Sequence, residues 1–302
     1  MSTETFRPAP ATATAAPAPK TDAPGTDLPP RWPALARAFV PVTILLSALL
    51  LAQVVMAVIS PLLPQATEAD LTPAAAGIVI PCALTSIFSV ALLSVYLRLV
   101  ERRSLSFAGF VFTRWSLLLF ALGVAAASLA HAFGSVVGEA TGTLRHTPLF
   151  NTDAPLWLVV IAALAPALLL QGFPEELLFR GYMIKTFAGR PWIAVAASVG
   201  FFTVMHLVSN GGQQNLAERF YYLIPVFGFA LSAAGLALLT RSLWAAVGVH
   251  AGSHLATFVG AAVFGIGDGP ALWVAQGVGH TLIGAIALVL WARRGTSVEY
   301  VR

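Results

Sequence analysis

Long apolar runs separated by short polar segments follow one another along most of the chain. Eight runs reach the length of about 20 residues that an α-helix needs to cross a bilayer. They lie at about 36–61, 74–99, 116–137, 155–184, 191–209, 220–240, 243–265 and 271–292. Pro64, Pro155 and Pro191 fall between runs, where turns are expected. The pattern predicts an all-α, polytopic bundle of about eight transmembrane helices, located in the cell membrane with the lipid bilayer around it.

The fourth run is longer than a bilayer requires, and it contains Gly172 and Pro174. Proline removes a helical hydrogen bond, and a helix that is too long for the bilayer tilts. The fourth run is therefore expected either to divide into two pieces or to tilt strongly. We count it as one span.

The composition agrees with a membrane protein. Hydrophobic residues make up 58% and charged residues 10% of the 302 positions, whereas soluble domains contain about 25% charged residues. Cys82 is the single cysteine, so a disulfide within one chain is excluded. Residues 1–31, rich in Ala, Pro and Thr, predict a disordered cytoplasmic tail, which is followed by an integral membrane domain at 32–300.

The basic residues are spread unevenly between the two sets of alternate loops. The net charge of +4 arises from single residues and small groups beside the spans, which favours loop orientation over nucleic-acid binding, and no nucleic-acid partner is expected. One set of loops and termini holds Arg31, Arg37, Arg102, Arg103, Arg114, Lys185, Arg190, Arg241, Arg293 and Arg294. The other loops hold at most one basic residue each. Because Lys and Arg are enriched in cytoplasmic loops, both termini are predicted to be cytoplasmic.

Charged residues stand near the end of the fourth run, in the segment QGFPEELLFRGYMIK at 171–185. A charged side chain inside a span costs about 2.5–3.5 kcal/mol on insertion scales, so it usually faces a cavity or a partner. On a helix, Glu176 and Arg180 are four residues apart in the order that favours an ion pair, while Glu175 points about 100° away. One acid is therefore predicted to be paired, and the other is available for chemistry.

Histidines in two later spans complete the candidate site. His206 follows Phe202 by four residues in the fifth span, and His250 and His254 lie one helical turn apart in the seventh. A buried carboxylate with three imidazoles suits the activation of water. Glu175 could act as general base with a histidine sharing the proton, or the same groups could act through a bound metal.

Other polar residues in the spans have a structural interpretation. His131 and His280 have no carboxylate near them in the sequence, so they are interpreted as packing residues or as hydrogen-bonding groups between helices. A Glu176–Arg180 pair alone would more often be an interfacial ion pair than a site. The combination of that pair with Glu175 and the three histidines favours a site.

Three segments of the chain carry a family resemblance: EELLFRGYM at 175–183, FFTVMH ending at His206, and LWAAVGVHAGSH at 243–254. In order and spacing they resemble the three motifs of the CAAX protease and bacteriocin-processing (CPBP) family, also called the Abi family. This family includes the Ras-converting prenyl-protein endopeptidases. The resemblance covers about 155–260 and marks that region as the protease core, with Phe202 as a supporting residue.

The resemblance implies a role for each matching residue. Glu175 would activate the attacking water together with His206, while Glu176 and Arg180 would shape and hold the site. His250 would stabilise the oxyanion of the tetrahedral intermediate or ligate a metal. The family is described both as glutamate-dependent and as metal-dependent, so zinc stays open as a cofactor. Its candidate ligands are Glu175, His206, His250 and His254.

The chain departs from the family pattern at His254, where the third motif usually ends in Asn or Asp. An asparagine amide donates a hydrogen bond without titrating, whereas histidine donates through one nitrogen or ligates a metal. We interpret His254 as a hydrogen-bond donor to the oxyanion.

The expected function is that of an intramembrane endopeptidase acting on membrane-associated or lipid-modified proteins or peptides. The fourth, fifth and seventh spans would surround a polar cavity, which is expected to open to the cytoplasm because Glu175 lies near the cytoplasmic end of its span. Two alternatives remain. One is a catalytically silent membrane scaffold or immunity protein of the same fold; the other is a proton-coupled transporter that uses buried Glu and His as a relay.

Overall fold

Over the residues that the structure describes, the fold is a bundle of eight long helices. The structure, a computed structural model, describes residues 32–145, 154–209, 211–264, 266–267 and 269–300, so the predicted tail at 1–31 lies outside the described residues. In chain order the helices are α1 (Ala34–Leu62), α2 (Thr72–Glu101), α3 (Ser116–Ala140), α4 (Leu156–Thr186), α5 (Pro191–Val208), α6 (Leu216–Thr240), α7 (Leu243–Phe264) and α8 (Pro270–Arg293). Over their described residues, seven helices are long and apolar enough to cross a membrane, and α7 lies where the seventh span was predicted. The predicted all-α polytopic bundle is confirmed.

The connections between helices fall at two ends of the bundle. One end, called here the terminal end, contains the start of α1, the end of α8 and the loops α2–α3, α4–α5 and α6–α7. At this end Arg37 and Glu101 form a buried ion pair, with 2.7 Å between Nε and Oε1. At the opposite end, strand β1 (Leu144–Arg145) pairs antiparallel with strand β2 (Ile266–Gly267). These contacts tie α1 to α2 at the terminal end and the loops α3–α4 and α7–α8 to each other at the opposite end.

Helix α4 continues through Gly172 and Pro174 as one run. Its geometry changes from α to π at Pro166–Gly172 and again at Leu177–Met183. A π segment shifts the amide-to-carbonyl pairing by one residue, which accommodates a residue without a backbone N–H while the helix continues. The expected division into two pieces is therefore not found. The single α turn Phe173–Glu176, between the two π segments, carries both motif glutamates.

Glycines allow α3 and α7 to approach each other closely. A methyl group added at Gly123 would collide with the carbonyl oxygen of Ala245, and one added at Gly248 would collide with that of Phe120. Small residues permit this backbone approach between membrane helices. The contact fixes the position of α7, which carries two of the candidate histidines.

Gly248→Ala is therefore expected to destabilise the bundle by about 1–3 kcal/mol, because the added methyl group forces α3 and α7 apart. The matched control is Gly77→Ala in α2, where an added methyl group meets no atom within 4 Å. Thermal unfolding of the two purified variants in detergent measures the change in stability of each. Equal unfolding temperatures for the two variants would contradict the close α3–α7 contact.

Candidate active site

Glu176 lies at the centre of a buried polar network. Its Oε1 atom is 3.0 Å from Nη1 of Arg180 and 2.9 Å from Nδ1 of His250, and the side chains of Glu176 and Arg180 are 0% exposed. The ion pair expected from the four-residue spacing thus forms, and it also holds a histidine from α7. Oε2 of Glu176 and both Nε and Nη2 of Arg180 have no hydrogen-bond partner among the described residues. A buried ion pair with unsatisfied atoms is weak evidence that the pair stabilises the fold. We therefore attribute the Glu176–Arg180 pair to the orientation of His250, which Glu176 holds.

His206 and His250 each have one ring nitrogen held by a hydrogen bond. Nδ1 of His206 lies 2.8 Å from the carbonyl oxygen of Phe202, which can only accept, so His206 donates through Nδ1. Nδ1 of His250 faces the Glu176 carboxylate and donates to it in the same way. A histidine whose Nδ1–H is held by an oxygen presents Nε2 to its other side. In both residues Nε2 is therefore the nitrogen available for chemistry.

Aromatic rings pack around this network. The Arg180 guanidinium lies 4.2 Å from the centroid of the Phe202 ring, and the Phe202 and His206 rings are 4.5 Å apart. The Phe229 ring, from α6, contacts His250 edge to face at 4.8 Å. Phe202 thus separates the buried cation from His206 and fixes both side chains.

A cavity of about 470 Å³ lies among helices α3 to α8. All four residues predicted to be catalytic line it: Glu175, His206, His250 and His254. The Glu175 carboxylate has no hydrogen-bond partner among the described residues, whereas the adjacent Glu176 is fully buried behind the cavity wall. The His254 ring stacks on the His250 ring at 5.2 Å. One acid thus faces the cavity while its neighbour is paired.

The cavity reaches the end of the bundle opposite the terminal end. Its lining includes Leu144, Ser209, Gly211 and Gly267, which lie in or beside the loops α3–α4, α5–α6 and α7–α8. The expectation that the cavity opens to the cytoplasm, made from the position of Glu175 near the terminal end of α4, stays a prediction. Glu175 is nearer in sequence to that end of α4, but the helix is 31 residues long and the residues after Glu175 are packed in the core.

Sequence reasoning missed several residues that face the cavity. His131 and His280 form the polar contacts between helices that were expected of them: Nδ1 of His131 is 3.3 Å from Nε2 of Gln276, and Nδ1 of His280 is 3.0 Å from Oγ of Ser232. Both rings also line the same cavity as Glu175, with their centroids 5.6 Å apart. Further lining residues that no motif indicated are Tyr222 and Phe229. They come from helices distant in sequence, so only the tertiary packing identifies them.

The side chains do not fit a zinc site. Zinc requires three or four ligands that converge on one point, with nitrogen ligands at about 2.0–2.1 Å. No group of three or more His, Cys, Asp or Glu side chains among the described residues could hold a metal ion.

Fold and site together define a polytopic helical membrane protein with a buried polar cavity. Residues 154–256, about a third of the chain, match the family described as type II CAAX prenyl endopeptidase Rce1-like. The match confirms the assignment to the CPBP family of CAAX proteases, which was predicted from the three motifs. A comparison with curated proteins gives no match. The match supports a CAAX-type intramembrane endopeptidase in general, in a membrane environment with protein or peptide substrates.

Proposed function

We propose that the protein hydrolyses peptide bonds of membrane-associated or lipid-modified proteins or peptides, with Glu175 as general base. The proposal rests on the different surroundings of the two adjacent acids. Glu176 is bound by Arg180 and His250, whereas Glu175 faces the cavity without a partner among the described residues. Only an unpaired carboxylate can accept a proton from water without first breaking an ion pair. The catalytic core is proposed at about 155–260.

In the proposed mechanism, Glu175 removes a proton from a water molecule, and the hydroxide attacks the carbonyl carbon of the peptide bond. His206, whose Nδ1–H is held by the Phe202 carbonyl, accepts a hydrogen bond from that water through Nε2 and orients it. Protonated Glu175 then gives its proton to the nitrogen of the leaving amine as the C–N bond breaks. The products are a new carboxyl terminus and a new amino terminus.

The oxyanion of the tetrahedral intermediate needs hydrogen-bond donors. His254 is proposed as one donor, because it lines the cavity and stacks on His250. His250 is proposed as the second site residue beside the oxyanion, because the Glu176 carboxylate, 2.9 Å from Nδ1, fixes its ring so that Nε2 points away from Glu176. Donors placed where charge develops typically contribute about 10²- to 10³-fold in rate.

His254→Asn is expected to retain cleavage within about tenfold of the wild-type rate, since an asparagine amide also donates a hydrogen bond. His254→Ala is expected to lose about 10²- to 10³-fold, because it removes the donor. The two variants are compared by the rate at which new peptide termini form. Equal losses in both variants would contradict the donor role of His254.

The proposed mechanism is glutamate-type rather than metal-dependent, and this is tested directly. Purified, active protein is expected to contain no stoichiometric zinc and to keep its activity after treatment with a chelator. Zinc measured at one atom per chain and lost together with activity would overturn the glutamate-type mechanism.

The function is tested with purified protein in liposomes, supplied with peptides extracted from host membranes in water enriched in ¹⁸O. Hydrolysis adds one oxygen from water to each new carboxyl terminus, so wild-type protein is expected to produce ¹⁸O-labelled termini and Glu175→Gln is not. Labelled termini that are absent in both samples would favour the silent scaffold or the transporter. A proton flux in the same liposomes that requires Glu175 would distinguish the transporter from the scaffold.

A further inference from the structure

The chain turns back onto the bundle directly after α8. Gly295 and Thr296 have φ angles of 99° and 52°, which lie in the left-handed region that turns use. Nε1 of Trp291, near the end of α8, then donates to the carbonyl oxygen of Ser297 at 2.8 Å. The segment 295–300, called here the strap, therefore lies against the terminal end of the bundle.

Two neighbouring residues of the strap are anchored by basic side chains. The carbonyl oxygen of Val298, a residue that is 6% exposed, accepts a hydrogen bond from Nζ of Lys185 at 2.8 Å. The Glu299 carboxylate pairs with Arg241, with 3.2 Å between Oε2 and Nη2. These contacts hold the strap against the end of α4 and the α6–α7 connection, and they bring the next residue, Tyr300, to the bundle.

The Tyr300 side chain reaches the main chain of α4. Its hydroxyl donates to the carbonyl oxygen of Arg180. Its ring lies on the backbone of Gly109 in the α2–α3 loop, where an added methyl group would collide with it. The ring borders a cavity of about 250 Å³ at the terminal end, and it does not line the cavity that contains Glu175. Tyr300 is therefore connected to the candidate site through Arg180 and not through the catalytic cavity.

The hydrogen bond from Tyr300 falls on the π segment Leu177–Met183. Short π segments inside α-helices are rare and occur frequently at functional sites. Ser198 of α5 donates to the preceding carbonyl oxygen, that of Phe179, at 2.9 Å. Two successive carbonyl groups of the π segment are thus held by hydroxyl groups from outside α4. These contacts restrain the main chain at the residue that carries the buried guanidinium.

Arg180 contacts both parts of the site that hold a histidine. Its Nη1 atom is 3.0 Å from Oε1 of Glu176, which also binds Nδ1 of His250. Its guanidinium lies 4.2 Å from the centroid of the Phe202 ring, and the carbonyl oxygen of Phe202 accepts from Nδ1 of His206. A shift of the Arg180 main chain would therefore be transmitted to both histidines.

We propose that Tyr300 is a positioning residue of the protease, whose hydrogen bond to the Arg180 main chain fixes the orientation of the site histidines. This inference rests on the proposed function and adds a residue far outside the catalytic core at about 155–260. Because Tyr300 does not line the catalytic cavity, its hydroxyl acts on the rate of hydrolysis and not on the binding of substrate.

The test is Tyr300→Phe in the full chain, which removes the hydroxyl and keeps the ring. We expect kcat for Glu175-dependent cleavage to fall by about 10- to 100-fold with KM unchanged, since a misplacement of about 1 Å can cost about 10²-fold. The matched control is Tyr96→Phe in α2, which makes the same change at the terminal end, where the Tyr96 hydroxyl lies 3.3 Å from that of Tyr182. It should change neither kcat nor KM.

The orientation of the histidines is read independently of activity by NMR of protein labelled with ¹⁵N-histidine in detergent. We expect Tyr300→Phe to shift the ring-nitrogen signals of His250, which are identified by their loss in His250→Gln. Tyr96→Phe should leave these signals in place. Thermal unfolding in detergent should give similar temperatures for the two Tyr→Phe variants, so that unfolding does not explain the loss of rate.

Unmoved His250 signals in Tyr300→Phe would overturn the proposal, as would equal losses of kcat in the two Tyr→Phe variants. A Tyr300→Phe protein that loses cleavage only because it unfolds would also overturn it, since the strap would then be purely structural. Wild-type protein without Glu175-dependent cleavage would instead count against the proposed function, while the His250 signals still report whether Tyr300 positions the histidine.

Discussion

Glu175→Gln is expected to lower the rate of peptide cleavage by about 10²- to 10⁴-fold, the range that general-base catalysis contributes. Glutamine has nearly the same shape as glutamate but cannot accept the proton of the attacking water. Because the Glu175 carboxylate has no hydrogen-bond partner among the described residues, its replacement breaks no contact there. The unfolding temperature should therefore stay close to that of wild type. Cleavage is measured with the ¹⁸O-labelling assay, and stability by thermal unfolding in detergent.

The matched control for this variant is Glu68→Gln, which makes the same chemical change at an exposed position between α1 and α2. It should leave both cleavage and stability unchanged. Glu175→Gln protein that cleaves at the wild-type rate would contradict the assignment of Glu175 as the base. Loss of cleavage accompanied by unfolding would show a structural role instead.

Arg180→Met is expected to destabilise the folded protein by about 3–5 kcal/mol, because it leaves the Glu176 charge buried without its partner. Both side chains of this pair are 0% exposed, and Nη1 of Arg180 is 3.0 Å from Oε1 of Glu176. His250 shares the same carboxylate oxygen, so its orientation should be lost as well. Thermal or denaturant unfolding of the purified protein measures the loss of stability.

An exposed Arg–Glu pair of the chain provides the control. Arg241 and Glu299 lie 3.2 Å apart with 49% and 69% of their side chains exposed, and exposed pairs contribute about 0–1 kcal/mol. Arg241→Met should therefore change stability little. Similar effects of Arg180→Met and Arg241→Met would refute the argument that the buried Glu176 needs its cation.

The apolar runs predicted much of the fold because lipid imposes a simple rule. Backbone groups must be satisfied within each span, so a long apolar run forms a helix. The ion pair of Glu176 with Arg180 was likewise predictable, since it depends on spacing within one helix. Local interactions of this kind can be derived from the sequence without knowledge of the tertiary fold.

Features that depend on packing between distant helices were not predictable. His131 and His280 carry no sequence signal of a site, yet α3 and α8 bring them to the cavity that contains Glu175. The two π segments of α4 also follow from tertiary context, because periodicity alone does not distinguish π from α geometry.

The central claim, that Glu175 is the base of a protease, is tested most directly by comparing peptide termini in host membranes. Cells express wild-type protein, Glu175→Gln, Glu68→Gln or no protein, with the amounts of the three proteins matched. We predict new termini with wild type and with Glu68→Gln, and none of them with Glu175→Gln. If no terminus depends on Glu175 although the expression levels are equal, the claim is contradicted.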